Sequence, residues 1–258
     1  MKLSQYLSLV DFQARMALKS DASNYFLGYL WWVLEPLLFV LVFYLVFDVF
    51  LDSGRADFLI FLVCGKLPFV WFSKSVSQAS NSIVANAGMI GRIDVPKSLF
   101  PMAIIQEGLY KQAVVFLLLF IILNLQGYPV SGSWLWLIPI VVVNYLMIVG
   151  CAFFGSILVC FMKDFAMLIP LGMLFLMFMS GIFWDVRSIA DPQLAEALFT
   201  YNPMAFILDS YRQALMFESS PDLMGLLRVG LVSTALIAVM VWYMRKYNEF
   251  LALRALTV

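Results

Sequence analysis

Long apolar runs alternate with short polar breaks along this chain, and the runs have the length of membrane-crossing helices. A helix needs about 20 residues to cross the hydrocarbon core of a bilayer. Runs of that length predict spans at 29–51, 58–82, 99–124, 134–161, 165–183 and 226–244. The first contains the run Leu37–Phe47 and the third Ala113–Leu123; the fourth runs from Leu135 to Met162 with few polar residues. The fifth, Phe165–Trp184, passes through Pro170 and Gly172. The second is the least apolar and carries Lys66, Lys74, Gln78 and Asn81. Trp31, Trp32, Trp134, Trp136, Trp184, Trp242 and Tyr243 gather at span ends, where amphipathic rings anchor helices at the interface.

Ahead of the first span, Leu3, Tyr6, Leu7, Val10, Ala14, Ala17 and Leu18 recur at helical spacing, with Ser4, Ser8, Asp11, Arg15 and Lys19 on the opposite face. No long apolar core follows Lys2, so this segment does not read as a signal peptide. It predicts an amphipathic helix lying in the membrane interface, a soluble cap helix being the alternative. Between spans five and six, 184–225 is long for a loop. Asp191 followed by Pro192 predicts a capped helix start. Asn202-Pro203 predicts its end, and Phe206, Ile207, Tyr211 and Leu215 predict a second short helix. Both helices are too short to cross, so a re-entrant or surface-lying hairpin is expected. The fold class is therefore an all-α membrane protein of one domain, 1–258, with an interfacial helix over 1–24 and a six-span core over 25–258. No internal repeat, low-complexity stretch or linker divides it.

Composition agrees: 64% of the 258 residues are hydrophobic and 12% charged, against about 45–50% and 25% in soluble domains. The 16 Lys and Arg balance the 16 Asp and Glu, so no global field points to nucleic acid. With the N-terminus inside, nine cations lie on cytoplasmic segments: Lys2, Arg15, Lys19, Arg92, Lys97, Lys163, Arg245, Lys246 and Arg254. Four lie outside, Arg55, Arg187, Arg212 and Arg228, while Lys66, Lys74 and Lys111 fall within spans. This asymmetry predicts cytoplasmic termini. The chain has no histidine, and Cys64, Cys151 and Cys160 lie in apolar runs, as buried thiols do. No P-loop, HExxH, CxxC or GxSxG motif occurs, and CGKLPF at 64–69 is not a P-loop. Asp48, Asp52 and Asp57 are spread around an outer loop rather than grouped for a metal. No catalytic, metal or cofactor-binding set is visible, so a transport subunit is expected rather than an enzyme.

Three stretches carry a resemblance. FLGYLWWVLEPLLFVLVFYLVF at 26–47 resembles the start of the first span in permease subunits of type-2 ABC exporters, those for capsule and O-antigen polysaccharide above all. CGKLPFVWFSKSVSQASNSIVANAGMIGRIDVPKSLFP at 64–101 resembles that family's second span and coupling segment. YNPMAFILDSYRQALM at 201–216 is similar to its outer stretch before the last span, and MKDF at 162–165 sits where the family has a short inner loop. Lys66 and Lys74 depart from the family's pattern. The resemblance implies two permease copies, two copies of a separate nucleotide-binding ATPase holding ATP and Mg, and a lipid-linked polysaccharide passing between the permeases in the bacterial inner membrane. It implies an ATPase-coupling segment at Asn86, Gly91, Arg92, Asp94, Pro96 and Lys97, and an outer gate segment at Trp184, Tyr201, Asn202, Pro203, Tyr211 and Arg212. Rival cargoes are a teichoic acid, a lipid or a drug. An ion-coupled carrier is disfavoured by the few buried acids and the lack of a paired repeat.

Aromatic faces and hydroxyls suit sugars, which makes Lys66, Phe69, Trp71, Phe72, Ser73, Lys74 and Ser77 the candidate channel wall. The alternatives stay open: rings in spans also pack or face lipid, and Lys66 and Lys74 also reach water by snorkelling. Intramembrane cations face protein or water more often than lipid. Glu107 and Lys111 are spaced for an i,i+4 ion pair. Glu35 before Pro36 reads as a helix start. Arg92 and Lys97 suit either orientation or contact with the ATPase.

Overall fold

The structure is a computed structural model that describes residues 2–24, 26–50, 57–92 and 95–257. Asp52, Arg55 and Asp94 lie outside the described residues. In chain order the helices are α1 Leu3–Asn24, α2 Trp31–Tyr44, α3 Phe58–Ala85, α4 Ala87–Ile90, α5 Leu99–Leu125 and α6 Leu137–Phe161. They continue as α7 Phe165–Met179, α8 Pro192–Tyr201, α9 Pro203–Leu215, α10 Leu223–Lys246 and α11 Asn248–Thr257. A wider π-type turn, Leu45–Phe50, prolongs α2, and a 3₁₀ turn, Gly132–Trp136, leads into α6.

The centre of the bundle is α3, which packs against α2, α5, α6, α7 and α9. It is the least apolar of the four long spans and also the most enclosed. The pairing is physical: polar side chains are expensive in hydrocarbon, so the helix that carries them is wrapped in protein. By contrast α5 and α10 leave Leu117, Ile121, Leu227, Leu231 and Val232 exposed, as lipid-facing helices do. Helix α10 packs on α6.

Among the described residues, four helices are long and apolar enough to cross a membrane: α3, α5, α10, and α6 with its 3₁₀ lead, Gly132–Phe161. A fifth arises only if α1 and α2 count together across a bend of 100°. Of the six spans expected from the sequence, the helices therefore show four, or five with the bent pair. The predicted fifth span, 165–183, stops at Met179 after 15 residues, which is about 22 Å at 1.5 Å per residue and short of the core. Gly181, at φ +68°, turns the chain there, and a Cβ would meet Val186 at 2.7 Å. The predicted first span becomes α2 and its π turn, Trp31–Phe50.

The cap expected at Asp191 is present, accepting from the Gln193 N–H. Asn202, expected only to end the first short helix, also caps the second by accepting from Met204 and Ala205. The hairpin is not surface-lying as a whole. Helix α8 has no buried residue, but α9 is buried from Met204 to Leu215 against α3 and α6. Helix α1 also differs from the simple amphipathic reading. It packs on α5 with Val10, Ala14 and Ala22 inward, and Asp11, placed on the polar face by sequence, accepts from the Tyr110 hydroxyl. Leu3, Leu7, Phe12 and Met16 remain exposed.

Both termini lie at one end of the bundle. Tyr6 donates to the Ser98 carbonyl (3.1 Å), and the Lys97 N–H donates to Asn248 Oδ1 (3.2 Å). The stretch around α9 closes the opposite end, where Ser133 donates to the Ala214 carbonyl at 2.8 Å.

Candidate functional site

One helix, α3, touches all three regions that the sequence singles out. Partway along it, Trp71, Lys74, Ser75 and Gln78 form one wall of a cavity of about 330 Å³. The other walls are Asp21 of α1, Trp31, Trp32 and Glu35 at the start of α2, and Glu107, Gly108, Lys111 and Gln112 of α5. The close approach of α3 and α5 here depends on Gly108, where a Cβ would stand 2.5 Å from Ser75 Oγ. Lys74 lies 11 residues before the end of α3, and Lys111 lies 12 after the start of α5. At 1.5 Å per residue both are about 16–18 Å from the terminus-bearing ends of their helices. At 28 and 27 residues, α3 and α5 are about 40 Å long, roughly 10 Å more than the hydrocarbon core needs. Any surplus at that end brings the cavity towards the interface.

The cavity's charges are tied in pairs. Lys74 Nζ lies 2.5 Å from Glu35 Oε1. Lys111 bridges Asp21 at 2.7 Å and Glu107 at 2.8 Å, the latter being the i,i+4 pair that the spacing predicted. Trp32 Nε1 donates to Asp21 at 3.3 Å, and Lys111 Nζ sits 5.4 Å from the Trp32 ring centre. Burial pushes the Asp21 carboxyl up, but hydrogen bonding and charge from Lys111 outweigh it and hold the carboxyl below its ordinary value. Glu35, read from sequence as a helix start, is the partner of Lys74. Asp21 and Gln112 carried no sequence signal, since their neighbours come from distant helices.

The other candidate channel residues are not brought together here. Lys66 is buried, with Nζ 2.8 Å from Met177 Sδ and 5.5 and 5.9 Å from the Phe39 and Phe69 ring centres. Phe69 and Phe72 are buried in the packed core, 6.5 Å apart. Ser73 and Ser77 are half-buried. Within one chain, therefore, Trp71 and Lys74 share a cavity, and Lys66, Phe69 and Phe72 pack elsewhere.

At the terminus-bearing end, Asn86 ends α3, its side chain donating to the Ser82 carbonyl at 2.8 Å. The short α4 follows, then Gly91 and the exposed Arg92. Lys97 is turned inward: it is buried, and its ammonium donates to the Val95 carbonyl at 3.0 Å. Helix α11 braces this segment with Leu251 and Ala255 buried, and Leu256 lies near Gly91.

At the far end, the outer residues cap the frayed end of α7. The last carbonyls of a helix need donors from outside it. Trp184 donates to the Phe178 carbonyl (3.0 Å), Asn202 to Met179 (3.1 Å), and Arg212 to Gly181 (2.8 Å) and Ile182 (3.2 Å). Arg212, 3% exposed, also reaches the Phe61 carbonyl (3.3 Å), and its guanidinium lies 3.4 Å from the Phe61 ring centre. Gly65 leaves the room for it, since a Cβ there would collide with the guanidinium. Tyr211 is fully buried, with Asn144 at 3.5 Å from its hydroxyl, whereas Tyr201 is 86% exposed. Arg187 grips Asp209 with two bonds, 2.9 and 2.8 Å, which raise the Arg187 pKa.

The sequence model described as ABC-2 type transporter matches residues 15–216, from α1 through the end of α9. The chain belongs to that family. It is 29% identical over 201 residues to an O-antigen export system permease protein RfbA of Klebsiella pneumoniae, covering 77% of this chain and 76% of that one. A protein of the same name from Myxococcus xanthus is 27% identical over 243 residues, covering 92% and 91%. The polysialic acid transport protein KpsM of Escherichia coli is 25% identical over 197 residues, 74% of each chain. All three regions of α3 fall inside the matched residues.

Proposed function

We propose that this chain is the transmembrane permease subunit of an ATP-driven exporter that moves lipid-linked polysaccharide of the O-antigen or capsule class across the bacterial inner membrane. The observation that carries the reading is the family match over most of the chain, joined to relatives whose names specify O-antigen or polysialic acid. In this reading the terminus-bearing end faces the cytoplasm, in keeping with the lysine and arginine asymmetry. The helical stretch Trp31–Phe50 crosses first, and α7 with the residues up to Trp184 serves as the fifth crossing. Two permease copies pair with two copies of an ATPase that holds ATP and Mg. The ATPase docks on α4 and Arg92, braced by α11. The unbroken α3 suits transmission, because a movement at Asn86 is carried along one packed helix to Lys74 and on to Phe61, under Arg212.

The test is a strain deleted for the chain, with re-expression of the chain expected to reverse the defect. Loss of surface polysaccharide, with lipid-linked polymer accumulating inside, is the expected result. Intact surface polysaccharide, with accumulation of a teichoic acid or another lipid, overturns the cargo assignment. Hydrolysis of ATP by the purified chain alone overturns the subunit assignment.

A further inference from the structure

The charge network leaves two groups in the cavity unaccounted for. Trp71 and Gln112 line it and are 3% and 4% exposed. Among the described residues, neither Trp71 Nε1 nor Gln112 Nε2 has a hydrogen-bond partner. Buried donors left unmade are destabilising, and native proteins keep few of them. Two on one cavity therefore call for acceptors.

The rest of the wall decides which acceptors fit. Three carboxylates, Asp21, Glu35 and Glu107, face two ammonium groups, Lys74 and Lys111. Both lysines are already held at 2.5–2.8 Å. A phosphate or carboxylate would meet a net negative wall and would have to share cations already paired to carboxylates. A neutral polyol meets neither obstacle. Its hydroxyls donate to the carboxylates, its oxygens accept from Trp71 and Gln112 once those side chains turn towards it, and the Trp31 and Trp32 rings line the same wall. A volume of about 330 Å³ is at the low end for small-molecule sites, enough for a sugar ring and not for a polymer.

We propose that this cavity is a subsite for one neutral sugar unit, and that its paired charges exclude the phosphate end of a lipid-linked glycan. The proposal rests on the polysaccharide-export reading and adds which part of the substrate the cavity takes.

The test uses the full chain co-expressed with its ATPase in cells that make its glycan. A photoreactive phenylalanine analogue replaces Val70, a residue of the cavity wall. Irradiation is expected to give a glycan adduct, identified by mass after sugar release. The adduct should fall at least fivefold in Trp71→Phe, which keeps an aromatic but smaller ring and removes the N–H, and in Gln112→Leu. Melting of both variants in detergent shows that they fold; with no ligand, Gln112→Leu should melt at or above the parent, because a lone buried donor has gone, while Trp71→Phe should lose some stability to the smaller ring packed against Phe116 and Tyr145. Adducts that contain only phospholipid, or a glycan adduct unchanged in both folded variants, overturn the subsite. If export persists while the adduct is missing, the subsite alone fails. If the null strain still displays its polysaccharide, the export reading fails and the subsite falls with it.

Discussion

Replacing Arg212 with methionine keeps an unbranched stem over Phe61 and removes the guanidinium. Three carbonyls, on Phe61, Gly181 and Ile182, then lose their donor in a buried site. Hydrogen bonds to charged groups contribute about 1.5–3 kcal/mol each in favourable cases. They do not add fully, and the variant also removes a buried charge, whose desolvation opposed folding. The expected net loss is about 3 kcal/mol, which for a chain of this size corresponds to roughly 6–12 °C in melting temperature. Arg187→Met is the internal control. Its side chain is 55% exposed, but Asp209 is buried and, among the described residues, would keep only Gln213 as a donor, so the expected loss is about 1–2 kcal/mol, below that of Arg212→Met. The assay is thermal unfolding of the purified chain in one detergent, followed by tryptophan emission. An Arg212→Met variant that melts within about 2 °C of the parent, or an Arg187→Met variant that loses more than Arg212→Met, would refute the carbonyl-capping role.

Asp21→Asn should melt below the parent at pH 7. The folded-state pKa is depressed, so the contribution is present above the ordinary value of 3.8 and is lost as pH falls through the folded value; a gap that stays constant down to acid pH contradicts the pairing with Lys111. Lys74→Leu strands Glu35 and should lower export at matched membrane levels, with Glu35→Gln in the same chain restoring part of it; unchanged export in the single variant ends the role of this pair in transport. Arg92→Glu should reduce co-purification of the ATPase while the permease still inserts, because an exposed cation on the docking face changes sign; normal co-purification with normal export rules out that contact. Cysteines at Ser188 and Ser219 should react with an impermeant thiol reagent in spheroplasts and one at Ser4 should not, whereas the reverse pattern would invert the topology.

What the sequence determined by itself is set by short-range physics. The spans 58–82, 99–124 and 226–244 fall within three residues of α3, α5 and α10 at either end, because the length of an apolar run is a property of the run alone. The cap at Asp191, the stop at Asn202-Pro203 and the Glu107–Lys111 pair were legible for the same reason: each is set by residues within four positions of each other. The end of α7 was not legible. Its apolar run continues to Phe183, and only the turn at Gly181 and donors from Trp184, Asn202 and Arg212 stop the helix at Met179. The cavity was beyond reach too. Lys74 and Glu35 are 39 residues apart, and Lys111 and Asp21 are 90 apart. Lys97, one of the cations assigned to the docking face, turns inward to a carbonyl two residues away, under the brace of α11. Tertiary packing alone decided which polar groups in the bundle are paired, which are buried without a partner, and which open onto space a ligand can fill. Each of those outcomes depends on the side chains that distant helices bring alongside.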